Sequence, residues 1–125
     1  MARILIVEDE AAIAENLQAL LEARGHQVVL AADGAAAVES ARRQAPDLML
    51  LDIMLPKLGG FDVCRLLKGD AATQKIKIVM ITGLGRMGDV ETAFANGADD
   101  YIIKPFDSQR LFKKLEKVLG PAAGA

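Results

Sequence analysis

The sequence predicts an α/β protein: one parallel sheet with helices on both faces. Three observations carry that prediction. Short β-rich runs and helix-length amphipathic segments alternate five times along the chain. The central run, Leu48-Met-Leu-Leu51, is apolar at every position, as in a strand buried on both faces. Single helical segments separate the runs, so each strand reaches a parallel neighbour by a right-handed crossover.

Each element has its own local reason. Arg3 to Val7 is a β-rich run closed by acids. Ala11 to Arg24 carries Ile13, Leu17, Leu20 and Leu21 at helical spacing, and Gly25 offers a stop. Val28 to Leu30 is a short second strand. Asp33 can cap a helix through Ala35 to Gln44, and Pro46 forbids its continuation. Leu48 to Leu51 is the third strand. Gly59-Gly60 opens a short helix carrying Phe61, Cys64 and Leu67. Ile76 to Ile81 is the fourth strand, and a helix through Val90 to Ala95 ends at Asn96-Gly97. Tyr101 to Ile103 is the fifth strand. Ser108 to Leu119 is a last amphipathic helix with Leu111, Leu115 and Val118 on one face. Residues 1–120 read as one domain, and 121–125 as a flexible tail or the start of a linker.

Composition narrows the function. The 125 residues suffice for one domain, and 52% apolar with 26% charged residues supports a packed core. The formal net charge is −2 with cations spread along the chain, so no nucleic-acid surface is expected. A single Cys allows no intramolecular disulfide. No run approaches the length of a membrane span, and no signal peptide is evident. The expectation is a cytoplasmic protein without membrane contact.

The chemistry lies at the strand ends. If all five strands are parallel, their C-terminal ends share one rim, where ligands bind in open α/β sheets. Glu8-Asp9 follow the first strand, Asp52 the third, Thr82-Gly83 the fourth and Lys104-Pro105 the fifth. Asp is depleted in strands and costly to bury alone, so Asp52 is expected at a surface crevice rather than inside. Three crowded carboxylates invite a hard divalent cation, and Mg²⁺ prefers oxygen ligands. Such an ion would also neutralise a phosphoryl group arriving at Asp52. Thr82 could donate to that group and Lys104 could supply fixed positive charge. This reads as an aspartyl-phosphate site.

These segments, in order, resemble the receiver domain of two-component response regulators, the CheY-like superfamily. The resemblance runs from Ile4 to about Leu119. It rests on Ile4-Leu-Ile-Val-Glu8-Asp9-Glu10, Pro46-Asp-Leu-Met-Leu-Leu-Asp52 with Leu55-Pro56, Gly59-Gly-Phe, Ile81-Thr82-Gly83 and Gly97-Ala-Asp-Asp-Tyr-Ile-Ile-Lys104-Pro105-Phe106. It implies a flavodoxin-like (βα)5 fold with strand order 2-1-3-4-5. It implies that Asp52 is the phosphoacceptor, fed by a histidine kinase or histidine phosphotransfer protein. Asp9 would bind Mg²⁺ directly and Glu8 through water, with the Met54 backbone carbonyl as a further ligand. Thr82 and Tyr101 would form a switch pair, and the Lys104-Pro105 peptide would be cis. Met54 and Leu84 would flank the path of a hydrolytic water, and being apolar would slow phosphoryl loss.

Taken singly, these residues have blander readings. Asp52 could be a cap, Tyr101 a half-buried strand aromatic, Lys104 a solvated lysine. Their conjunction is what singles them out. His26 stands away from the rim, Cys64 reads as core, and Lys113, Lys114 and Lys117 read as a solvated helix face or partner surface. A dehalogenase-type phosphatase needs a second acid two residues past its nucleophile, where Met54 stands. After the first strand there is no Gly-x-Gly-x-x-Gly, and no Walker lysine loop occurs, so a nucleotide site is not expected. A pseudo-receiver would lack some of the rim side chains, and all are present.

The resemblance implies a signalling switch rather than a turnover enzyme. Its output would run through the surface of the fourth helix, fifth strand and fifth helix, to a downstream protein target or a further output domain. A phosphorylation-dependent homodimer is an option on that surface. The Ala98-Asp-Asp-Tyr101 stretch resembles OmpR/PhoB transcription-factor receivers. Those, however, carry an acid where Arg110 stands and a base where Val90 stands.

Overall fold

The computed structural model describes residues 2–55, 57–83 and 87–120. The residue 121–125 tail, Pro56 and Leu84 lie outside the described residues. Five strands and five helices alternate: β1 Arg3–Val7, α1 Ala11–Glu22, β2 Gln27–Ala31, α2 Gly34–Gln44, β3 Leu48–Asp52, α3 Gly60–Lys68, β4 Lys77–Gly83, α4 Met87–Ala95, β5 Asp100–Lys104 and α5 Ser108–Leu119. The strands form one parallel sheet in the order β2-β1-β3-β4-β5. Both the expected architecture and the expected order are present.

The period of two in a strand divides the core into two layers. Leu5, Val7, Met49, Leu51, Ile78 and Met80 pack with Ala37 and Ala41 of α2, Val63, Cys64 and Leu67 of α3 and Ala93 of α4. Ile4, Ile6, Leu48, Leu50, Val79, Ile81 and Ile102 pack with Leu17 and Leu21 of α1 and with Leu111, Phe112 and Leu115 of α5. Every residue of β3 is buried, because its strand is central and covered twice.

Helix ends follow the local chemistry. Asp33 accepts a hydrogen bond from Ala36 N–H at 2.8 Å, and Asp107 caps α5 through Arg110 N–H. Helix α2 closes on Ala45 in the left-handed region, directly before Pro46. Helix α1 stops at Glu22, two residues earlier than its spacing suggests. Ala23 and Arg24 continue as turn, and Gly25 (φ +88°) reverses the chain into β2. The strands are longer than their apolar runs. Ladder pairing of Asp52 with Ile81 and of Gly83 with Lys104 extends them into polar residues, although β4 begins at Lys77, one residue after the expected Ile76. Among the described residues no helix is long and apolar enough to cross a membrane.

Candidate functional site

Strand parity builds the site. Ile6, Leu50 and Ile102 face the α1/α5 layer. Two residues on from each stand Glu8, Asp52 and Lys104, which therefore emerge on that same side at the sheet's C-terminal end. Their side chains meet. Lys104 Nζ lies 2.8 Å from Asp52 Oδ2 and 3.4 Å from Glu8 Oε1. The other Asp52 oxygen, Oδ1, accepts from Met54 N–H at 2.9 Å. Ligand oxygens of Glu8, Asp9 and Asp52 all lie within 4.8 Å of one another. The Lys104–Pro105 peptide is cis.

These groups border a cleft of about 340 Å³ whose lining includes Asp9, Glu10, Asp52, Met54, Thr82 and Lys104. Asp52 was expected at a surface crevice rather than inside. It does line the crevice, but it is only 4% exposed. Lys104 and Met54 N–H make that burial tolerable by supplying an opposite charge and a donor. Glu8 is 2% exposed, while Asp9 is exposed.

The crowding shows in the electrostatics. Burial, and then the neighbouring Asp52 carboxylate, push the Glu8 carboxyl up to about 7. Burial opposes the charge of Lys104. The hydrogen bond and charge of Asp52, followed by Glu8, outweigh it and raise the ammonium's pKa. The site thus holds more negative charge than one lysine satisfies. A donor set made only of oxygens, in which one acid keeps its proton to near neutrality, fits a hard divalent cation such as Mg²⁺.

Thr82 and Tyr101 lie on the opposite side of the sheet. Tyr101 pairs with Met80 in the β4–β5 register, and Thr82 is two residues beyond Met80. They are diagonal neighbours on one face. The Thr82 hydroxyl is buried without a hydrogen-bond partner among the described residues. An orphan hydroxyl beside a cleft is a group lacking an acceptor, which an incoming anion would supply. Tyr101 is half-buried, edge-on to Phe94 with ring centroids 5.9 Å apart.

Two sequence expectations need correction or completion. Lys114 and Lys117 were read as a solvated face or partner surface. Lys117 is exposed as that reading expects and Lys114 is half-buried, but both also pair with the buried Asp100, Lys114 at 3.0 Å and Lys117 at 3.1 Å, and Lys114 Nζ sits 4.6 Å from the Tyr101 ring centroid. Burial pushes the Asp100 carboxyl up, but the hydrogen bond from Tyr101 N–H, followed by those from Lys114 and Lys117, outweighs it and holds the group below the usual carboxylate range. The one sequence signal was the three-residue spacing of the lysines, which puts both on one helix face. Met54 lines the cleft as expected and is 65% exposed, whereas its suggested companion Leu84 lies outside the described residues. His26 and Cys64 are structural. His26 Nδ1 accepts from Ala2 N–H, and burial pushes the Cys64 thiol up to about 11.

Comparison with known proteins agrees with this geometry. Residues 4–116 match the response regulator receiver domain family. The chain is 41% identical over 119 residues to the "DNA-binding dual master transcriptional regulator RpaA" of Synechocystis sp., covering 95% of this chain and 49% of that protein. It is 42% identical over 117 residues to the "Response regulator PleD" of Caulobacter vibrioides, covering 94% and 26%. The chain therefore spans half or less of these relatives' length. Among solved structures, the receiver domain of a sensor histidine kinase of Pseudomonas aeruginosa PAO1 superposes with a TM-score of 0.87 at 34% identity, covering 95% of this chain and 98% of that one. That protein has a magnesium ion coordinated in its active-site cleft. The receiver domain of NtrX from Brucella abortus gives a TM-score of 0.87 at 32% identity, with 94% and 98% covered. The matched span includes every rim residue from Glu8 to Lys104, and this chain belongs to the response regulator receiver domain family of two-component signalling.

Proposed function

We propose that Asp52 accepts a phosphoryl group from the phosphohistidine of a histidine kinase or histidine phosphotransfer protein. The observation that carries this reading is the Lys104–Asp52 contact of 2.8 Å at a cleft bordered by Asp9 and Thr82. A carboxylate oxygen of Asp52 attacks phosphorus, the phosphorus–nitrogen bond to histidine breaks, and the freed imidazole takes up a proton. Glu8, Asp9, Asp52 and the Met54 carbonyl would hold Mg²⁺. When bound, the ion offsets the negative charge of the carboxylates and of the phosphoryl oxygens. Lys104 neutralises one phosphoryl oxygen, and the Thr82 hydroxyl donates to another. Thr82 moving toward the phosphoryl leaves space on its face of the sheet for Tyr101. The domain is a switch in the cytoplasm rather than a turnover enzyme, and residues 1–120 constitute it. Its state is read on the α4–β5–α5 face by a target protein, an output domain or a second copy. Val90 and Arg110 disfavour the charge pairing of OmpR/PhoB dimers.

The test is phosphorylation by a small-molecule donor with Mg²⁺, followed by intact mass. Wild type gains one phosphoryl group, and Asp52→Asn gains none at the normal site. Equal labelling of the variant overturns the assignment. A second expectation concerns the metal. Binding Mg²⁺ requires Glu8 to lose its proton, so the apparent affinity falls as pH drops through about 7, by up to about tenfold per pH unit. Calorimetric titration of wild type and Glu8→Gln checks this. The variant should lose the pH dependence, and a flat wild-type profile across neutrality would refute the coupling.

A further inference from the structure

Between β5 and α5 lies an open groove of about 350 Å³, lined by Tyr101, Ile103, Arg110, Lys113, Lys114 and Lys117. Ile102 also borders it, although its side chain is 1% exposed and packs on the α1/α5 core. The main chain of β5 is therefore part of the wall. Among the described residues, strand β5 ends the sheet and pairs only with β4. Its free edge presents backbone N–H and C=O groups that can take another strand.

The groove is cationic in a chain whose formal net charge is −2. Of its four cations, Lys114 and Lys117 are engaged by Asp100. Arg110 and Lys113 are exposed, with no ion pair to any described residue. They are three apart on α5, about 4.5 Å along the helix axis. Side chains on one face of an extended peptide repeat about every 6.6 Å, so two long cationic side chains can each reach one carboxylate of such a peptide.

We propose that this groove docks an extended acidic segment of a partner protein. Its backbone adds to the free edge of β5, and its alternate carboxylates meet Arg110 and Lys113. A nucleic acid fits less well. The one aromatic ring in the lining, Tyr101, has Lys114 over it and the Phe94 ring edge-on, so it offers no stacking platform for bases. The inference rests on the reading of the α4–β5–α5 face as the output surface, and it names the partner's chemistry. It does not require phosphorylation.

The test uses the full chain without phosphodonor. The probe is a capped, dye-labelled peptide of alternating glutamate and valine, read by fluorescence anisotropy and by amide shifts of residues 101–103. The comparison ligands are a lysine–valine peptide and single-stranded poly(dT). The glutamate peptide should bind, shift those amides and weaken with salt. Reversing both charges, Arg110→Glu with Lys113→Glu, should weaken it about tenfold or more, with the fold checked by circular dichroism. A glutamate peptide with N-methylated backbone should also bind more weakly, because strand pairing is blocked. Failure of the glutamate peptide to bind, equal binding by the charge-reversed protein, tighter binding of poly(dT), or self-association of the chain through this face would each overturn the proposal. Phosphorylation of Asp52, measured separately by mass, reports on the parent reading, so either can fail alone.

Discussion

Without metal, Glu8→Gln is expected to make the protein more stable than wild type above about pH 7, by at most about 3 kcal/mol. The cause is the crowding of Glu8, 2% exposed, beside Asp52. In the unfolded chain Glu8 ionises near its ordinary 4.5, and in the fold it holds its proton to about 7. Between those values the native state binds the extra proton, so wild-type stability falls as pH rises and levels off above about 7. Glutamine keeps the neutral form throughout, and the slope should vanish. Other shifted groups act elsewhere. Asp33 and Asp100 are lowered, so their contribution is lost only on acidification below the ordinary 3.8. Lys104 is raised, so its contribution is full below the ordinary 10.5 and lost only as pH rises through its higher folded value. Urea unfolding across this range, with chelator, checks the expectation. A wild-type curve that is flat, or a variant less stable at about pH 8, would sink it. Saturating Mg²⁺ should reverse the order, because the ion binds the carboxylate form and adds its binding free energy to the native state. On this account the cleft is held at a cost in stability that serves its chemistry.

The sequence made this site legible because parallel strands bring their C-terminal ends together without further information. That Glu8, Asp52 and Lys104 share one side of the sheet follows from strand parity only once the register Ile6–Leu50, Asp52–Ile81 and Ile81–Ile102 is known. The burial of Asp52 was not legible. Depletion of Asp from strands argues for exposure, and only the contact with Lys104, fifty-two residues away, reverses that argument. The strand ends were also hidden, because pairing with a neighbour carries β4 into Thr82 and Gly83 where hydropathy has no signal. The Asp100–Lys114–Lys117 cluster was hidden for the same reason. Each lysine alone is typical of a solvated helix face. Only the packing of α5 against β5 reveals the buried carboxylate they serve.

Gly60→Ala should cost about 3 kcal/mol or more of stability, while Gly59→Ala should change it by less than about 1 kcal/mol. The two glycines are adjacent and look equivalent in sequence. In the fold Gly60 opens α3 and is buried against the end of β3, its N–H donating to Ile53 C=O at 3.2 Å. A Cβ there would lie 2.5 Å from the Asp52 carbonyl oxygen and 2.8 Å from Ile53 Cα. Both are backbone atoms, so no rotamer change relieves the overlap. The helix must lift from the strand, or the Asp52–Ile53 segment must shift. Gly59 precedes the helix with φ −67° and ψ 160°, ordinary extended backbone, and a Cβ there meets only Asp62 Oδ2 at 3.9 Å. Its replacement loses only the modest preference for glycine over alanine at a helix N-cap. Because the displaced segment carries the Asp52 carboxylate, Gly60→Ala should also slow phosphorylation in the fraction that remains folded. Denaturant unfolding of both variants, with phosphorylation timed under native conditions, separates the effects. Equal stabilities for the two would show that the contact between α3 and β3 is looser than these distances require.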